Sequence, residues 1–304
     1  SRCLALRMAR YLKRFASFDN FVLVVVPSIG CATLLEAYQR SEIKDAHRGR
    51  LCQYSLANKL LTASHVRRLE RDGFLVLENE QSALGEDELT SAQKDVVSIM
   101  REGRFSRNSN DNAVRQDLVC WIRETDGTPD AAADAPERSA GALGDGLLHC
   151  ARLVRGVAVA LESHGYSRAS ELRVPRQLQL AWYPGDGNSN YVRHLDACLD
   201  AFWEIGLLAW LRVSDYRERS VTAILYLNHA QWGSSGSGSG GELRIFLPKG
   251  EGEDERHIDV LPRGGTLVLF DSRAVEHQVM PTRDDRFALT CWIVGDAGLS
   301  DKKK

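Results

Sequence analysis

Arg286-Phe-Ala-Leu-Thr-Cys-Trp-Ile-Val294 runs for nine residues without Gly or Pro, and its alternation decides the fold. With the two-residue period of a strand, Arg286, Ala288, Thr290 and Trp292 share one face, while Phe287, Leu289, Cys291 and Ile293 share the other. The second face is apolar throughout and suits packing against a core. The first carries a cation, small residues and a Trp, and suits the wall of a cavity. Comparable short runs precede it at Gln177–Tyr183, Val221–Asn228, Glu242–Phe246, Arg256–Val260 and Thr266–Phe270, separated by Gly- and Pro-rich turns. On Val221–Asn228 the same period places Thr222, Ile224 and Tyr226 together. Many short strands at this spacing predict a sandwich or a barrel.

Upstream the texture is more helical. A charged helical stretch around Ser64–Arg71 leads into a strand-like run, Gly73–Asn79. The periodicity predicts a helix over Thr90–Gly103, with Thr90 as cap, Gly103 as stop, and Val96, Val97 and Met100 on one stripe. A second strand is predicted at Asp117–Ile122, and residues 124–141, rich in Asp, Ala, Gly and Pro, read as a loop. Leu147, Leu148, Ala151, Val154, Ala158 and Leu161 then mark a helix ending near Gly165. Helices ahead of short strands predict a mainly β chain with supporting helices, whose core is a double-stranded β-helix, the cupin-like jelly roll. The expected division is an N-terminal extension at 1–59, a supporting region at 60–175, the barrel at 176–296 and a basic tail at 297–304. Gly233–Gly241 reads as a flexible hairpin loop.

Composition narrows the function. The 304 residues, 43% hydrophobic and 26% charged, suffice for a sizeable core and exclude disordered or fibrous classes. Lys and Arg total 39 against 41 Asp and Glu, so nucleic-acid binding by bulk electrostatics is not expected. Seven Cys without a CxxC pair argue against a disulfide framework and for a reducing compartment, the cytoplasm or nucleus. The chain opens on Ser1, as a fragment or processed product would. Five basic residues and no acid lie in the first 18 positions, ahead of an apolar run, Phe21–Leu35, that Pro27 interrupts. That pattern leaves organelle targeting open. The run is shorter than the roughly 20 residues a membrane span needs.

Two His-x-Asp triplets occur, His194-Leu-Asp196 and His257-Ile-Asp259, and either alone carries little weight. Two His and one carboxylate on one face of an Fe(II) ion leave the other face open, so a third ligand decides. His277 is the natural third. It lies 83 residues after His194, about four strands on, but only 20 after His257, barely one hairpin. Ligands that meet across a jelly roll are separated by several strands, so His194, Asp196 and His277 are the expected triad. His257 and Asp259 are expected on a surface strand. Arg286 could anchor a carboxylate bidentately, with Tyr226 beside it. The bland readings are a surface arginine and an ordinary core tyrosine, and joint occurrence with the triad favours the anchor.

These residues resemble those of the Fe(II)- and 2-oxoglutarate-dependent dioxygenases, and more closely the hypoxia-inducible-factor prolyl hydroxylase branch of the prolyl 4-hydroxylases. The stretches that carry the resemblance are Tyr183-Pro-Gly185, Tyr191-Val-Arg-His-Leu-Asp196, Val221–Asn228, Gly240-Gly-Glu-Leu-Arg-Ile-Phe246, and His277 through Arg286 to Trp292. Arg115-Gln-Asp-Leu-Val-Cys-Trp-Ile122 and Asp72-Gly-Phe-Leu-Val-Leu77 add to it, and together they span roughly residues 60–296.

The resemblance implies Fe(II) on the triad and 2-oxoglutarate held at its far carboxylate by Arg286 and Tyr226. Tyr183, Ile224, Leu243 and Val279 would line that pocket, and Arg219, Arg115, Asp117 and Trp292 would meet the substrate or shape the entrance. For Trp121 and Trp292 core packing is the competing reading. The implied partners are a protein containing a target proline and molecular oxygen, with ascorbate as reductant and oxygen sensing conceivable. Nucleic-acid and membrane partners are not expected. A small-molecule oxygenase and a non-catalytic barrel that only binds are the competing functions. The chain departs from the pattern in the long segment Ala197–Glu218, in the expanded Gly/Ser loop and in residues 1–59, which match nothing in the family.

Overall fold

The computed structural model describes residues 60–78, 84–107, 114–123, 143–167, 172–175, 177–197, 219–233, 238–249 and 254–295. The extension at 1–59, the loop at 124–141, nearly all of the segment 197–218 and the tail at 297–304 lie outside the described residues, and the Gly/Ser loop is described only at its ends.

Among the described residues, the chain forms three helices and eleven strands, the last eight strands in succession. The first are α1 (Ala63–Asp72), β1 (Phe74–Leu77), α2 (Glu86–Arg101), β2 (Ser106–Arg107), β3 (Leu118–Arg123) and α3 (Asp145–Ser163). There follow β4 (Gln177–Tyr183), β5 (Tyr191–His194), β6 (Arg219–Tyr226), β7 (Leu243–Phe246), β8 (His257–Val260), β9 (Leu267–Asp271), β10 (His277–Val279) and β11 (Arg286–Val294). Thr62 caps α1 by accepting from the His65 amide, and Gly73 ends it in the left-handed region at φ 80°. The second helix begins four residues before the expected Thr90. Glu86, Asp87 and Glu88 fill its first turn, where acidic groups complement the helix dipole, so Gly85 takes the cap position. Its buried stripe is Leu89, Ala92, Val96 and Ile99, with Val97 and Met100 only flanking it.

The strands form two antiparallel sheets. The larger has the order β1-β9-β6-β11-β4-β3-β2 and the smaller β5-β10-β7-β8. Because β9 and β10 follow one another yet lie in different sheets, as do β6 and β7, the chain winds between the layers as a jelly roll does. This is the mainly β architecture with supporting helices that the sequence predicts. Alternation on β11 divides two cores. Leu289, Cys291 and Ile293 join α1–α3 behind the larger sheet, whereas Ala288 faces the space between the sheets with Ala181, Tyr226 and Val268. Burial of α3 is nearly complete around its circumference, because it packs on α2 on one side and on β6 and β11 on the other. No helix among the described residues is long and apolar enough to cross a membrane.

Candidate metal centre and anion pocket

Between the sheets an open cavity is lined by both layers. The smaller sheet supplies its metal-binding character. On β5 and β10, His194 and His277 are directly paired in register, so their rings project to the same side, 4.2 Å apart at their centroids. Asp196 follows β5 by two residues. The donor atoms of His194, Asp196 and His277 all lie within 4.8 Å of one another. His257 and Asp259 lie elsewhere, on the exposed strand β8, where Asp259 pairs with Arg244.

Each ring is fixed through its other nitrogen. Nδ1 of His194 faces the Val192 carbonyl at 2.7 Å, and Nδ1 of His277 faces that of Val275 at 3.1 Å. A carbonyl can only accept, so Nδ1 carries the proton and Nε2 presents a lone pair toward Asp196. Those Nε2 atoms lie 3.7 Å and 3.9 Å from the Asp196 carboxylate. Burial pushes the His277 imidazole down to about 4, so the ring is neutral and able to ligate at neutral pH. Burial alone would raise the Asp196 carboxyl, but His277, His194 and Arg219 outweigh it and hold the group well below the usual carboxylate range. Thr222 donates to Asp196 Oδ2 at 2.6 Å and exchanges a 2.8 Å hydrogen bond with Ser272, which fixes the carboxylate. Two imidazoles and one carboxylate converging on a point are the donor set a divalent iron takes.

The larger sheet supplies an anion site. Arg286, 2% exposed, enters the cavity from β11 opposite Tyr183 on β4. Its Nε donates to the Gly241 carbonyl at 2.8 Å and its Nη2 to the Tyr226 hydroxyl at 3.3 Å. The guanidinium carbon stands 4.9 Å from the Tyr183 ring and 5.0 Å from the Tyr226 ring. Burial raises both phenols, which keeps them neutral. Among the described residues no carboxylate pairs with Arg286. A buried guanidinium without a counter-ion costs several kcal/mol, so the pocket suits a ligand carboxylate. Gly240 and Gly241, both at positive φ, let the chain pass close by: a Cβ on Gly241 would lie 3.0 Å from Thr282 Oγ1 and 3.1 Å from Arg286 Cδ. Ile224, Leu243 and Val279 complete an apolar wall between the two charged ends.

The remaining residues singled out in the sequence divide. Arg219 stacks over the Trp292 ring at 3.9 Å and donates to the Asp196 carbonyl at 3.1 Å, and both residues line the cavity. Arg115 also lines it, but Asp117 does not. Its fully buried carboxylate is engaged at both oxygens by Arg115, at 2.7 Å and 2.5 Å. Sequence reasoning gives no role to Thr222, Gln179 or Tyr191, and divides Trp121 evenly between packing and function. Gln179, Tyr191 and Trp121 line the cavity. Period two places Thr222 on the Tyr226 face, and it equally puts Gln179 on the Tyr183 face, so both are within reach of that signal.

Residues 178–294 match the family described as the 2OG-Fe(II) oxygenase superfamily. Over 245 residues the chain is 28% identical to the hypoxia-inducible factor prolyl hydroxylase of Caenorhabditis elegans, covering 76% of this chain and 28% of that protein. It is 35% identical over 114 residues to human Egl nine homolog 1, covering 37% of this chain and 21% of that one. The chain thus spans less than a third of the length of the curated relatives it matches. Among solved structures, a Pseudomonas putida prolyl-4-hydroxylase superposes with a TM-score of 0.53 at 22% identity, covering 77% of this chain and 99% of that one. A Trichoplax adhaerens prolyl hydroxylase, in complex with a hypoxia-inducible factor peptide fragment, gives 0.53 at 24% identity, covering 80% and 90%.

Proposed function

We propose that the chain, whose residues 178–294 match the 2OG-Fe(II) oxygenase superfamily, hydroxylates a prolyl residue of a protein substrate as a peptidyl-proline 4-dioxygenase, with a role in oxygen sensing. The observation that carries this reading is one cavity that holds a His-Asp-His donor set at one end and an uncompensated buried arginine at the other. The curated relatives named prolyl hydroxylases support the choice of proline.

In this reading His194, Asp196 and His277 hold Fe(II), and Arg286 with Tyr226 holds the distal carboxylate of 2-oxoglutarate. When bound, the ion and this cosubstrate supply the oxygen chemistry, which consumes O2 and yields succinate, carbon dioxide and a hydroxylated carbon. The chain positions the reactants and excludes water. Tyr183, Ile224, Leu243 and Val279 pack around the cosubstrate, while Arg219 and Trp292 meet the peptide. No side chain is required as nucleophile or general base. Ascorbate is the expected reductant. The barrel unit is taken as 176–296, supported by 60–175. Buried Cys120, Cys150 and Cys291, none of them in a disulfide, suit a reducing compartment such as the cytoplasm or nucleus.

The test is mass spectrometry of proline-containing peptides incubated with the purified protein, Fe(II), 2-oxoglutarate, ascorbate and oxygen, beside a His194→Ala control. A gain of one oxygen on proline, lost in the control, is expected. Turnover of free proline as readily as peptides would instead favour a small-molecule oxygenase, and neither hydroxylation nor succinate despite bound iron would sink the catalytic reading.

A further inference from the structure

Val114–Arg123 belongs to both sheets at once. At Leu118–Arg123 it is β3 of the larger sheet, paired with β4. Three residues earlier it pairs with the smaller sheet instead: Arg115 bridges Tyr191, the Gln116 amide donates to the Asn190 carbonyl at 3.0 Å, and the Val192 amide donates to the Val114 carbonyl at 3.0 Å. Asp117 is the corner between the two pairings. It is 2% exposed and holds Arg115 through two hydrogen bonds. The strand so clamped is β5, which carries His194 and leads directly to Asp196.

The side chains at this corner form a column that ends on a metal ligand. The Arg115 guanidinium lies over the Tyr191 ring, 4.6 Å from its centroid. Tyr191 in turn stacks on the His194 imidazole at 3.6 Å and 18°, the most nearly parallel ring pair in the cavity. His194 is therefore fixed in two ways: the Val192 carbonyl holds Nδ1 in the plane of the ring, and Tyr191 fixes the plane itself. Rotation of the imidazole about its Cβ–Cγ bond would swing Nε2 away from Asp196 and drive the ring into Tyr191. His277 needs no such support, because it is 3% exposed and packs at 4.5 Å on Phe270. His194 is more open, and Tyr191 is its flat neighbour.

We propose that Tyr191, held by the Arg115–Asp117 pair, is a positioning residue that sets the orientation of His194 and through it the affinity of the centre for its divalent ion. This rests on the metal-site reading above and differs from the substrate contact that the family resemblance implies for Arg115 and Asp117. Tyr191 acts through the area of its ring, which meets the imidazole face to face, and not through its hydroxyl, so Phe should replace it and an aliphatic residue should not.

The experiment titrates the metal-free full chain with Co(II) under argon, without cosubstrate or peptide, and follows the d–d absorption bands, which report ligand geometry. Supporting groups of metal ligands are commonly worth 10–100-fold in affinity, so Tyr191→Leu is expected to weaken binding about tenfold or more and to alter the band pattern. Tyr191→Phe is expected to bind and absorb like the wild type, and Arg115→Met to fall between. His194→Ala provides the reference for a lost ligand, and Val66→Ala, in the core remote from the cavity, provides a destabilised variant with an intact centre. If Tyr191→Leu kept wild-type affinity and spectrum while His194→Ala lost both, the positioning role would be refuted and the metal-site reading left standing. If the wild type itself gave no Co(II) bands, or His194→Ala kept them, the metal-site reading would fall and this inference with it. A Tyr191→Leu defect matched by Val66→Ala would mark a general loss of stability and would also overturn the proposal.

Discussion

Replacing Arg286 by Met separates a residue kept for binding from one kept for stability. The guanidinium is 2% exposed and no described carboxylate neutralises it, so its burial is a cost the ligand-free fold carries. Removing a buried ionic group in favour of an apolar one of similar volume is neutral or stabilising by about 1–4 kcal/mol in comparable cases. Against this, the Gly241 carbonyl and Tyr226 hydroxyl each lose a donor, at about 1–3 kcal/mol where no water replaces it. The two nearly cancel, so the cosubstrate-free variant should melt within a few degrees of the wild type. Ligand binding has no such compensation. Two charge-assisted hydrogen bonds to a carboxylate at about 1.5–3 kcal/mol each amount to a loss of at least about 100-fold in 2-oxoglutarate affinity. The assay is thermal unfolding with Mn(II) under argon, with and without 2-oxoglutarate. Ligand at a hundredfold excess over Kd stabilises by about 2.7 kcal/mol, which should raise the wild-type Tm by roughly 5 °C. Arg286→Met should show no rise. A variant that kept the rise would refute the anchor. A variant that lost about 10 °C without ligand would show that the lost donors are not offset by the relieved burial of the guanidinium, and that Arg286 is a structural group.

Three further outcomes follow from the same geometry. Thr222→Val removes the donor at 2.6 Å from Asp196 Oδ2 and is expected to weaken Co(II) binding about tenfold or more, read by the same absorption titration. Gly241→Ala puts a Cβ against Thr282 and Arg286 at a φ of +75°, which costs about 1–2 kcal/mol for an L-residue; denaturant unfolding should show that loss and the KM for 2-oxoglutarate should rise. Cys120, Cys150 and Cys291 are buried and form no disulfide, and burial pushes the Cys150 and Cys291 thiols up to about 12, so native alkylation followed by peptide mapping should leave all three unlabelled.

What is legible in the sequence follows from period and separation. Strand alternation needs only the neighbours in the chain, which is why the two faces of β11 can be told apart from the residues alone: Leu289 and Cys291 lie on the helices, Arg286 and Ala288 on the cavity. The distance from His194 to His277 singles out one pairing across the barrel, and the register of β5 with β10 has those two residues opposite one another. The start of α2 is misplaced by sequence because Thr90 and Gly85 are about equal as caps by type, and the three acids that follow Gly85 favour the earlier start. Asp117 shows where such reasoning ends. In sequence it is one acid two residues from an arginine, next to an apolar run, and nothing local says that the chain changes sheets there. Only with β4 and β5 both in place does the segment acquire a partner on each side. The Asp117 carboxylate is then enclosed, and Arg115 is turned onto Tyr191 rather than into solvent. A role for Arg115 and Asp117 taken from resemblance alone is therefore a statement about what they could touch. Their burial and the stack on His194 bear instead on what they hold in place, and the two roles separate by ligand: a positioning defect weakens metal binding with no peptide present, whereas a lost substrate contact weakens peptide binding to a centre whose metal affinity is intact.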